Sequence, residues 1–267
     1  MRIRLLAQAA VSAAVILAGC GSSPVTEQNS RPEPAVDMTY IGERGRIIVG
    51  VTEFEPLDHI ENGEWTGFDA ELAALFAESC GVAAEFAEIN WDRKTELLET
   101  GEIDLIWNGM TRTDELNDTI TCSVPYLSNA QVIVMQQPEF GKYTSEDECS
   151  HLLFACEKGS AGEKLLAEKR YRSVGCDSLK DALFAVAEGR TDAAAVDMIM
   201  AAHMTSEGSE FPELSFAYPM NEEFICVGMR RGSELESRVN SFLGEKAADG
   251  TLAAIAEKYG LKEALTI

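Results

Sequence analysis

The sequence predicts an α/β fold of two lobes joined by a two-strand hinge, on three observations. Short apolar runs alternate with segments of helical period, the pattern of strands and crossover helices in a parallel sheet. Thr100-Gly-Glu-Ile-Asp-Leu-Ile106 and Glu188-Gly-Arg-Thr-Asp-Ala-Ala194 repeat one design: a helix stop, a step, an aspartate and an apolar strand. After a last strand at 224–229, two amphipathic helices close the chain, so it crosses between lobes twice if they pack on the first lobe.

In order, Arg46–Val51 is the first strand, followed by a loop through Phe54 and a hairpin-like Asn62-Gly63. The helix from Phe68 stops at Gly81, a strand runs 84–89, and Asp92 opens a helix that stops at Gly101. Ile103, Leu105 and Ile106 then form a buried strand that runs into a turn at Asn108-Gly109, with Thr111 adding a hydroxyl. In open α/β sheets such turns border the ligand crevice. The second half offers strands at 131–135, 152–157, 171–176 and 191–196. Ser145 with Glu148 and Ser160 with Glu163 fit capping boxes, and Asp177 is placed as a helix cap. Helices at 233–247 and 251–259 complete the chain. Lobe one is thus expected at 45–134 and 224–267, and lobe two at 135–223, with crossings near 135–138 and 219–223.

The net charge of −23 leaves no basic face for phosphates and excludes a nucleic-acid partner. Residues 1–19 read as a signal peptide, with Arg2 and Arg4 ahead of a mostly apolar run. Leu17-Ala18-Gly19-Cys20 resembles the bacterial lipobox, which implies a lipid on Cys20 and an extracytoplasmic protein anchored to a membrane rather than threaded through it. Residues 20–44, rich in Ser, Pro, Glu and Asn, read as a flexible, disordered tether. Export permits disulfides; the six cysteines after Cys20 allow 15 pairings, and one bond among Cys149, Cys156 and Cys176 is the preferred one, with free buried thiols standing beside a full set of bridges as the alternative. No spacing suggests zinc, and no metal or cofactor is expected.

From about Arg46 to the C-terminus the landmarks resemble the family 3 extracellular solute-binding proteins, the amino-acid receptors of ABC importers. They are Trp65-Thr-Gly-Phe-Asp69, Trp91-Asp92, Gly101-Glu-Ile-Asp104, Gly109-Met-Thr111, Pro125-Tyr126, Gly159-Ser160, Gly189-Arg-Thr-Asp192, Asp197 and Asp249-Gly-Thr-Leu252. The resemblance implies the type II periplasmic-binding-protein-like fold, closing on its hinge over an amino acid, with an ABC permease as partner. A monomer is expected.

A free amino acid loses water from both its charges when lobes shut, so each needs a partner in place. The resemblance assigns Gly109 and Thr111, beside Asn108, to the ligand's carboxylate. It assigns Asp197, at the end of Ala193–Val196, to the ammonium, and Phe54 and Trp91 to the flanks of the side chain. Ser160 starts a helix whose dipole favours an anion, although capping alone explains a serine there; a helix cap also explains an aspartate at 197. Two positions depart from the family. Leu116 stands where it usually carries an arginine, and Ala161 where a hydroxyl is common. Arg112 is the only nearby substitute. Either backbone N–H groups hold the carboxylate or the ligand is not a standard α-amino acid. Glu157, with Glu53, Glu55 and Asp58 in the facing loop, suggests a cationic side chain.

The expected function is therefore capture of a polar amino acid, with Glu157 pointing to a basic one, or of a related amine, for import. Two alternatives stand beside it: a sensory or surface domain uncoupled from transport, and a dehydratase-like enzyme on the same fold. Against the enzyme, His59, His151 and His203 are scattered and no nucleophile motif appears.

Overall fold

The computed structural model describes residues 37–267. The signal peptide, Cys20 and the tether up to residue 36 lie outside the described residues. The rest of the expected tether, 37–44, is not disordered. It forms α1 (Asp37–Arg44), because its Asp37 is buried against the Arg230 guanidinium and the Ser233 hydroxyl, while Ile41 enters the core. The burial of Ile41 supplies the apolar anchor that the polar composition of the segment hides, and the Asp37 contacts fix where the helix sits.

The chain continues through β1 (Arg46–Val51), the hairpin of β2 (His59–Glu61) and β3 (Glu64–Thr66), α2 (Phe68–Ser79) and β4 (Ala83–Glu88). A single turn of 3-10 helix, Trp91–Arg93, leads into α3 (Lys94–Thr100), which ends where Gly101 takes φ 77°, a conformation that costs glycine nothing. Next come β5 (Leu105–Ile106), α4 (Asp114–Thr119) and β6 (Thr121–Cys122). After them come β7 (Leu127–Asn129), β8 (Gln131–Gln136), α5 (Gln137–Phe140), β9 (Leu153–Glu157), α6 (Ala161–Lys169), β10 (Arg172–Cys176), α7 (Leu179–Ala187), β11 (Ala193–Asp197) and α8 (Met198–Met204). The last elements are β12 (Leu214–Ala217), β13 (Glu223–Ile225), β14 (Gly228–Met229), α9 (Leu235–Ala248) and α10 (Thr251–Lys258).

Two five-stranded sheets result, in the orders β4-β1-β5-β14-β6 and β10-β9-β11-β8-β12. β1 runs parallel to β4 and β5, and β9 parallel to β10 and β11, so both sheets are built from crossover units. The closing helices pack on the first sheet: the Phe242 ring of α9 lies 5.5 Å from Phe76 and 6.1 Å from Trp107, centroid to centroid.

The first crossing differs from the expectation. The sequence places β8 in lobe one, yet it pairs antiparallel with β11 and β12 of the second sheet. The crossing therefore falls earlier, at β7, which pairs antiparallel with β13. The expected single strand at 224–229 is also two strands, β13 in this connection and β14 in the first sheet. An apolar run cannot reveal which sheet receives it, because the pairing partners are distant in sequence.

One cap moves by one residue and one expected capping box does not form. Ser178 rather than Asp177 caps α7, accepting from Asp181 N–H at 3.0 Å. Glu148 accepts from Thr144 N–H rather than closing a box with Ser145, and Asp147–Cys149 forms one 3-10 turn. The preferred disulfide is absent: among the described residues all six cysteines are free. Cys156 pairs in register with Gly175, so Cys176, the next residue on its strand, points to the other face of the sheet.

Candidate functional site

A cleft of about 640 Å³ lies between the ends of the two sheets. From the first lobe it is lined by Phe54, Trp91, Lys94, Asn108, Gly109, Thr111 and Leu116, and from the second by Glu157, Ser160, Ala161 and Asp197. Contacts across it hold the walls together. Lys94 Nζ donates to the Gly159 carbonyl at 2.7 Å, Lys164 pairs with Glu115, and His203 meets Glu55 at 2.9 Å.

Asp197 ends β11 in the N-cap position of α8, but its side chain caps nothing. Its Oδ1 instead accepts from the Asn129 and Gln131 carboxamides, which leaves the second oxygen outside this network. The same two carboxamides reach Glu223 Oε2, which also accepts from the Thr111 hydroxyl at 2.9 Å. Two buried carboxyl groups thus share one pair of amides at the hinge. Burial first and Glu223 second raise the Asp197 carboxyl to about 8.

Glu157 ends β9 and is buried in the second-lobe wall. Burial and the neighbouring Asp197 raise its carboxyl to about 8, against the opposing pull of Lys94. Lys94 is itself buried and lies 4.7 Å from the Trp91 ring centroid, and burial lowers its ammonium to about 8. Ser160 accepts from Glu163 N–H at 3.1 Å and so caps α6, while Glu163 returns to accept from Gly159 N–H at 2.8 Å.

On the first-lobe wall the expected anion cradle has other partners. Gly109 N–H donates to the buried Asp69 at 2.7 Å, and Tyr126 OH donates to the same carboxyl. The Asn108 side chain bonds Thr52 and donates to buried Asp58 at 2.7 Å. Arg112 is exposed and does not line the cleft; its N–H continues the backbone pairing with Phe224, which carries its side chain outward. It is therefore no substitute for an arginine at Leu116, whose apolar side chain occupies the wall. Of the acidic loop residues set against Glu157, Asp58 is buried within lobe one, Glu55 turns to His203, and neither these nor Glu53 lines the cleft.

Sequence reasoning misses Lys94, Glu223, Asn129 and Gln131. Lys94 carries one legible hint, its place a helical turn after Trp91 on the same face. The other three meet only because β7, β8 and β13 come together at the crossing.

A model of the bacterial extracellular solute-binding proteins, family 3, matches residues 47–262. The chain belongs to this family. It is similar to the L-cystine-binding protein TcyJ of Escherichia coli, 28% identical over 83% of this chain and 85% of TcyJ. It is also similar to the arginine-binding extracellular protein ArtP of Bacillus subtilis, 24% identical over 97% of each. Among solved structures, a mutant of ArgBP from T. maritima superposes with a TM-score of 0.78 at 27% identity, over 83% of this chain and 98% of that one. The ancestral amino acid-binding protein AncCDT-1, a precursor of cyclohexadienyl dehydratase, gives 0.77 at 28%, with the same coverage. The chain is thus an amino-acid-type solute-binding protein with the type II periplasmic-binding fold, and its family places it outside the cytoplasm.

Proposed function

We propose that the protein is an extracytoplasmic receptor that traps a small solute bearing an ammonium or guanidinium group and delivers it to an ABC importer. The observation that carries this reading is Asp197: a buried carboxylate at a helix start, not used as a cap, lining the cleft beside Glu157. A cation between them restores the charge that burial penalises. Phe54 and Trp91 supply the flat apolar surface on which such a group or its aliphatic stem rests. Relatives support the class, since ArgBP from T. maritima is arginine-bound in one solved structure.

The cycle is hinge closure. A ligand that touches both lobes only when they are shut shifts the population toward the closed form, and the permease reads that form. The Leu17–Cys20 motif supports a signal peptide at 1–19 and a lipid on Cys20, which would keep a monomeric receptor near its permease. Palmitate labelling lost in Cys20→Ala tests the anchor. The protein acts by binding, without turnover, which mass analysis of recovered ligand checks.

The direct test is a thermal-shift and calorimetric screen of amino acids and small amines. Basic compounds should raise the melting temperature in proportion to affinity. Tighter binding of glutamate or a nonpolar amino acid than of every basic compound overturns the reading.

A further inference from the structure

The cleft has a place for a ligand's positive charge and no arginine fork or free anion cradle for a carboxylate. Among the described residues no arginine lines it. Both lining lysines are engaged: Lys94 spends two of its three donors on the Gly159 and Trp91 carbonyls and faces the nearby Glu157, and Lys164 pairs with Glu115. Gly109 N–H and the Thr111 hydroxyl, which face the corner an anion would enter, donate to the chain's own Asp69 and Glu223. The first turn of α6, the remaining anion-favouring feature, is already served by Glu163, which accepts from Gly159 N–H. Ala161 offers no hydroxyl there, and Leu116 faces the cleft with hydrocarbon.

The opposite charge has the reverse situation. Asp197 and Glu157 line the cleft, and Glu223 stands behind Asp197 on shared carboxamides. A carboxylate shut into this space would face three buried acids against the single tethered charge of Lys94, and its own charge would oppose the ionisation that a bound cation promotes in Asp197 and Glu157. We infer that the ligand is an organic cation without a free carboxylate, an aliphatic amine or guanidine seated between Asp197 and Glu157 with its stem along Trp91 and Leu116. This deepens the proposed function and rests on it, since it presumes capture of a cation in the cleft.

Matched pairs differing only in the carboxyl group test it: agmatine against L-arginine, and cadaverine against L-lysine, titrated calorimetrically into the protein. The decarboxylated member of each pair should bind at least about tenfold more tightly. Leu116→Arg places a guanidinium on the carboxylate side of the wall and should narrow or reverse that preference by improving the amino acid. Equal or tighter binding of the amino acids by the unaltered protein overturns the inference and leaves cation capture standing. No binding of any of these four compounds, with a neutral or acidic amino acid bound instead, overturns both.

Discussion

Lys94 Nζ, on the first lobe, donates to the backbone carbonyl of Gly159, on the second, at 2.7 Å. A charge-assisted bond across the mouth of a hinged cleft favours the shut form by about 1.5–3 kcal/mol. Lys94→Met should therefore open the unliganded protein, seen as a larger radius of gyration in small-angle scattering. An unchanged scattering profile would show that other contacts suffice.

Removing the carboxylate at 197 should remove the ligand's main partner. Asp197→Asn keeps the shape and the carboxamide network but not the charge, so affinity for a cationic ligand should fall by about 2–3 kcal/mol, roughly 30- to 150-fold. Calorimetry reads this directly, and retained affinity would move the cation elsewhere in the cleft.

Binding should strengthen as pH rises. Glu157 and Asp197 are both raised to about 8, so at lower pH a cation must displace protons before it can pair with them. Affinity should climb by up to about tenfold per pH unit for each proton released and level off above about 8. Stability runs the other way. A carboxyl whose folded value exceeds its unfolded one binds more protons in the native state, so the unliganded protein should lose stability between about pH 4 and about pH 8. Melting temperatures across that window, with and without ligand, check both signs.

Gly109 should not tolerate a side chain. It sits at φ 58°, and a Cβ there would lie 2.4 Å from Phe54 Cε1 and 2.7 Å from Leu57 Cδ1. Gly109→Ala should cost about 1–3 kcal/mol, from overpacking and a strained backbone, and lower the urea midpoint.

The family and the two-sheet α/β class are legible because they rest on local features. Gly101 stops a helix wherever it is placed, and the alternation around Ile103–Ile106 reports a buried strand whatever its neighbours are. The single residues at the cleft are legible by position and not by role. Gly109 reads as a donor to an anion, yet its N–H serves Asp69, a residue far away in the chain that α2 brings beneath the turn. Arg112 reads as a possible anchor, and the pairing of its N–H with Phe224 turns it outward.

From the sequence alone came the solute-binding family, the alternating strands and helices, the acidic surface and an aspartate at the end of an apolar strand. Only the tertiary structure decided which sheet takes β8, where the chain crosses, and that Lys94, Glu157, Glu223 and Asp197 share one buried space. The reason is physical: helix stops and strand periods are written in neighbouring residues, whereas the charge a buried group meets depends on groups that folding brings together.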